Sequence, residues 1–150
     1  MSRERFVDPG IWTNEDVCAV SRDARQLFVG CITMADDCGF WTANPWTLKL
    51  SIFPTDVDIT KEAVGGMLAE LVGVDLVRIY GKHLWIPQFF AWQSLKWRSR
   101  GKRLPKLVEA GIFQAEFDPQ GRVVTCGPNL PDPARPCRDL ERGGEGRGVV

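Results

Sequence analysis

Between Ser94 and Lys106 the chain reads SLKWRSRGKRLPK, in which Lys96, Arg98, Arg100, Lys102, Arg103 and Lys106 set six cations with no acid among them. Such a run suits the neutralisation of phosphates, and Trp97 within it adds an indole able to stack on a base or wedge into a base step. The rest of the chain is acidic. Residues 1–90 carry eight Lys and Arg against twelve Asp and Glu, and residues 107–150 carry five against seven. The formal net charge of zero therefore conceals one basic segment and argues against a wholly basic nucleic-acid coat. Lys49, Arg78, Lys82 and His83 are secondary candidates for contact.

Other chemistries find little support. Cys18, Cys31, Cys38, Cys126 and Cys137 make an odd number with no Cys-x-x-Cys pair, and His83 is the one histidine, which disfavours a disulfide framework or a Cys/His zinc site. Free thiols in a reducing compartment are the expectation. Asp36 and Asp37 are sequence neighbours and do not face one another on a helix, so capping is expected of them, not metal binding. No nucleophile elbow, phosphate loop or metal-ligand spacing occurs, so a non-catalytic protein without cofactors is expected. The opening MSRERFVDPG lacks a signal-peptide apolar stretch and no run approaches 18 apolar residues, which suggests a cytoplasmic protein without membrane contact.

These candidates must be positioned by a fold, and at 44% hydrophobic residues the chain can bury a real core. Thr13 or Asn14 can cap a short helix starting at Glu15. Ser21 caps a longer one, in which Ala24, Leu27, Phe28, Cys31 and Ala35 share a face and Gly39 supplies the stop. Phe40–Thr42 reads as a strand. Pro45 opens a third helix containing Trp46, Leu48, Leu50 and Ile52, which Phe53-Pro54 closes. Asp58 or Thr60 caps a fourth, with Val64, Met67, Leu68 and Leu71 inward and Gly73 as its stop. Runs at 76–80 and 84–86 flank Gly81-Lys82, a hairpin signal.

Several short helices followed by a hairpin is the order of a winged helix-turn-helix, with the hairpin as wing. The helix before the wing, 60–72, carries Glu62 and Glu70 beside Lys61 and makes a poor groove reader; packing or oligomerisation suits it better. A weak echo of 68–87 recurs at 104–128: Pro105 opens a helix, Gly111 ends it, and Asp118-Pro119-Gln120-Gly121 turns a second hairpin at 112–126. From Gly127 the composition becomes Pro, Gly and charge, which predicts a flexible tail. The expected organisation is α+β: a winged helix-turn-helix over 1–93, a basic segment and hairpin over 94–126, and a tail over 127–150. Most of the six tryptophans are assigned to the core; Trp97, and less clearly Trp92, are placed for a ligand.

The stretch from Phe6 to Gln93 resembles the N-terminal winged-helix domain of phage replication proteins of the replisome-organiser type, which are similar to DnaD-like helicase-loading proteins. The resemblance is carried by Pro9, Trp12 and Thr13; by Ser21, Ala24-Arg25 and Leu27-Phe28; by Ala35-Asp36-Asp37 with Gly39; and by Ile52-Phe53-Pro54, Asp58-Ile59-Thr60 and Ile86-Pro87 with Phe89. It departs from the pattern at Ala91-Trp92-Gln93, where a Lys-His-Gln-like step is expected, and no helicase-engaging helical domain follows within these residues. The resemblance implies DNA binding in phage-type replication, in initiation or helicase-loading assembly, with a helicase or a second copy as protein partner. A protein–protein adaptor or inhibitor of a host enzyme, and a small winged-helix transcriptional regulator, are the alternatives. The binding residues expected are Lys96, Trp97, Arg98, Arg100, Lys102, Arg103 and Lys106, joined by Arg78 and Lys82.

Overall fold

The first four α-helices each begin where a short polar side chain takes up otherwise unpaired backbone N–H groups. In the computed structural model, which describes residues 4–129, a 3-10 turn over Pro9–Thr13 leads into α1, Glu15–Cys18. The Asn14 side chain accepts from the amides of Asp16 and Val17 at 2.9 and 3.1 Å. Ser21 caps α2 (Arg22–Met34), Asn44 caps α3 (Pro45–Ile52) with Pro45 at its first position, and Thr60 caps α4 (Lys61–Gly73). Two shorter helices follow, α5 (Phe89–Trp92) and α6 (Arg103–Glu109).

The strands form two antiparallel sheets. β1 (Phe40–Thr42), β2 (Arg78–Tyr80) and β3 (His83–Trp85) are ordered β1-β3-β2, with Phe40 and Arg78 both opposite Trp85, and Thr42 and Tyr80 both opposite His83. β4 (Phe113–Phe117) and β5 (Val123–Pro128) form the second sheet, with an irregularity at Glu116/Phe117. The molecule is thus of mixed α+β class.

Side chains alternate across a strand, and here both faces of the first sheet are covered. Leu84 joins Ala24, Leu27, Phe28, Leu48, Val64 and Leu71 in the helical core. Phe40 and Trp85 point the other way, into a second core with Leu104 and Leu107 of α6, Phe113 of β4 and Val123 of β5. The Phe113 ring sits edge-on to Phe40, Tyr80 and Trp85, with centroids 5.0–5.1 Å apart. The result is three layers, namely the helices, the β1-β3-β2 sheet, and α6 with the β4-β5 hairpin. Residues 94–126 are built onto the outer face of the sheet, which is why all three residues of β3 are buried.

Four local expectations are corrected. Helix α2 ends at Met34, and Gly39 (φ 90°) serves the later turn into β1, where an added Cβ would lie 2.7 Å from Cβ of Phe89. After α4 the left-handed residue is Asp75 (φ 62°), not Gly73. β5 continues two residues into the expected tail, since Gly127 pairs with Gln114 and Pro128 with Phe113; the rest of that stretch from residue 130, with Cys137, lies outside the described residues. Trp12 and Trp46 are exposed, so fewer tryptophans serve the core than expected.

Candidate nucleic-acid interface

The basic segment is bound to the turn between α2 and β1. Asp36 shapes that turn, its Oδ1 accepting from the amides of Cys38 and Phe40 at 3.0 Å each. Asp37 then reaches outward. Its carboxylate accepts from Ser99 N at 2.9 Å and from Arg5 Nη2 at 3.0 Å, and its carbonyl accepts from Arg98 Nη1 at 2.7 Å. Gly101 holds φ 63° beside Asp36, where an added Cβ would meet the carboxylate at 2.8 Å. The cation run contains no acid in sequence, but the fold supplies two.

Arg98 is consequently not a surface cation. It is buried, with Nη2 donating to the carbonyls of Gln93 and Phe90 at 2.6 and 3.3 Å and its guanidinium carbon 3.7 Å from the Phe90 ring centroid. Burial holds its pKa below the ordinary arginine value, partly offset by nearby Cys38 and Asp37. Arg78 is also engaged, forking onto Asp75 at 2.9 and 3.0 Å. Lys49 closes the end of α3, its ammonium donating to the carbonyls of Phe53 and Asp56. Each of these three cations satisfies an internal acceptor.

The other candidates divide into two groups. Lys102 at the N-cap of α6, with Arg103 and Lys106 within it, lines a groove of about 890 Å³ together with Lys82 of the β2–β3 turn. Trp97 also lines it and is 45% exposed, with Arg122 at 5.7 Å from its ring centroid. Lys96 and Arg100 are exposed but do not line the groove. Sequence reasoning missed Trp41 and Thr42 of β1, Arg5, Asp36 and Asp37, which complete the walls and floor. No local spacing marks them, because their neighbours in the groove are dozens of residues away. Five cations against two carboxylates leave the groove positive.

His83 reports on that field. It is buried, not a surface turn residue, and Arg103 Nη1 lies 3.0 Å from its Nδ1. Guanidinium only donates, so Nδ1 accepts and the ring is neutral. Burial first, then the charges of Arg103, Lys82 and Lys106, lowers its pKa from 6.5. Asp36 is raised, chiefly by burial and then by Asp37, against the pull of its two amide donors and Arg103.

Helix α4 contrasts with this groove. Glu70 accepts from the amide and hydroxyl of Ser21 at 2.8 and 2.9 Å, tying α4 to the start of α2. Lys61 and Glu62 are both exposed, so together they add no net charge to that helix.

Among the described residues, no cluster of His, Cys, Asp and Glu could hold a metal ion, and no helix is long and apolar enough to cross a membrane. No family model, curated protein or solved structure significantly matches the chain.

Proposed function

We propose that this protein is a non-catalytic nucleic-acid-binding protein that engages phosphates through the groove between the β2–β3 turn and α6. The observation that carries the reading is convergence. Lys82 and the Lys102, Arg103 and Lys106 set are far apart in sequence, yet they line one concavity with the exposed indole of Trp97. The winged-helix interpretation belongs to this reading. It is supported by the order α2, β1, α3, α4, β2, β3 and by β1 pairing with the second strand of the hairpin, which makes the Lys82 turn the wing. The resemblance over residues 6–93 adds the setting of phage-type DNA replication, in initiation or in helicase-loading assembly.

A salt titration of oligonucleotide binding tests it. Each phosphate contact on a duplex contributes roughly −0.9 to the slope of log affinity against log salt. Replacing Lys82, Lys102, Arg103 and Lys106 by Ala should weaken binding to all sequences alike and flatten the slope by about 2–4. Replacing Lys96 and Arg100, equally cationic but outside the groove, should change it much less. No binding by the unaltered protein at about 50 mM salt overturns the reading.

A protein-docking role is favoured by one separate observation. Trp46 and Leu50, one turn apart on α3, are 53% and 51% exposed, and Val57, 94% exposed, lines a shallow depression with Trp46. Such a patch is characteristic of a protein contact. It is compatible with assembly on a partner while the groove holds nucleic acid.

A further inference from the structure

We propose that the groove takes a single strand with unpaired bases, not a duplex. This rests on the nucleic-acid reading above and adds the form of the ligand. Duplex readers project a helix or ribbon into the major groove, whereas the cations here line a concavity. A concavity between β1 and α6 suits an extended strand better than a rigid duplex. The element that would project, α4, presents Lys61 and Glu62 together and has Glu70 committed to Ser21.

The walls carry the second argument. Trp97 lines the groove with a 45% exposed indole, while Trp41, opposite Leu84, packs its side chain against the helical core. Bases within a duplex hide their faces in the stack, but unpaired bases offer them to an indole. Arg122 lies over the Trp97 ring and steadies it as a platform.

The floor supplies the third. The Arg5 side chain is 1% exposed, and its Nη2 is held by Asp37 and the Ala35 carbonyl. Its Nη1 is buried without a hydrogen-bond partner. Arg5 lines the groove, so it adds fixed positive charge beneath it. Cations on two sides, an exposed indole in the wall and fixed positive charge at the floor together describe a site for strand backbone and base.

The test compares three fluorescent ligands with the full chain at matched salt: an oligothymidine of roughly 12 nucleotides, a duplex of equal length, and an abasic strand with the same phosphates. The expected result is at least about tenfold tighter binding to oligothymidine than to either other ligand, which corresponds to 1.4 kcal/mol. Trp97→Ala should lose roughly 5- to 150-fold on oligothymidine with little change in salt slope, and Trp97→Phe should restore most of it. Equal or tighter duplex binding overturns the single-strand proposal while leaving nucleic-acid binding intact. So does equal binding of the abasic strand, a comparison that needs no variant to fold. Failure to bind all three ligands rejects the underlying reading as well.

Discussion

The guanidinium of Arg98 donates to the carbonyl of Asp37 at 2.7 Å across 61 positions of sequence, with the Ser99 amide on the Asp37 carboxylate beside it. Asp37 thereby fixes two consecutive residues of the basic segment against the α2–β1 turn. Arg98 also gathers the carbonyls of Phe90 and Gln93, so one side chain joins three backbone segments. The exposed cations on either side owe their placement to this buried one.

Arg98→Ala should therefore behave as a folding defect and not as the loss of one phosphate contact. Leaving buried acceptors unpaired costs about 1–3 kcal/mol each, so the urea midpoint should fall clearly. Arg98→Lys should rescue little, because an ammonium cannot reproduce the planar fork that spans these carbonyls. Stability unchanged in either variant, with weakened nucleic-acid binding, would return Arg98 to the surface set.

Phe113→Ala should destabilise the whole chain by about 3–5 kcal/mol, in one transition. Its ring fills the space between Phe40, Tyr80 and Trp85, so the hairpin and the first sheet share that loss. Calorimetry showing a separate early melt confined to residues beyond 93 would refute the shared second core.

Acid should weaken the fold through His83. Its folded pKa lies below 6.5, so between that value and the ordinary one the unfolded chain binds the extra proton. The contribution is present above about pH 6.5 and is lost as pH falls towards the folded pKa. Urea midpoints measured at about pH 7 and pH 5 should drop more for the unaltered protein than for His83→Gln. Equal drops would remove His83 as a source of the pH dependence.

The described cysteines should differ in reactivity. Burial pushes Cys31 up to about 12, and hydrogen bonding between the Cys38 and Cys126 thiols raises Cys38 while lowering Cys126. Cys18 is exposed and Cys126 half-buried. Alkylation of the native protein, mapped by peptide mass, should label Cys18 and Cys126 before Cys31 and Cys38. Early labelling of Cys38 would show that the second core opens readily.

The local elements were legible because their signals are local. Ser21 caps the helix it was read to cap, Thr60 is the one of the two candidates, Asp58 and Thr60, that caps α4, and Ala24, Leu27, Phe28, Cys31, Val64, Met67, Leu68 and Leu71 are all buried. Gly81 and Gly121 take positive φ in the two expected turns. What sequence could not convey was the pairing of distant segments. Arg98 looks like its neighbours in a basic run, and only the arrival of Asp37 and the Phe90 and Gln93 carbonyls makes it internal. Helix α3 is apolar at Trp46, Leu48, Leu50 and Ile52, yet only Leu48 is fully buried, since composition does not say which side of a helix meets the core. The groove itself was half legible, because its α6 wall is a charge run while Trp41 and Thr42 belong to a short strand with no chemical signature.

The isolated bridge between Arg98 and Val123, with the Val123 amide donating to the Arg98 carbonyl at 2.9 Å, has a consequence for biosynthesis. A ribosome delivers the chain N-terminus first, and domains tend to consolidate in that direction. The helical layer and the three-stranded sheet have all their residues once α5 has emerged. The wall formed by Trp97 to Lys106 is held at Arg98 and Ser99 by Asp37, and β5 adds a second hold through the Val123 amide. A nascent chain interrupted between those points would carry most of its buried core, with the α6 wall of the groove not yet braced by β5.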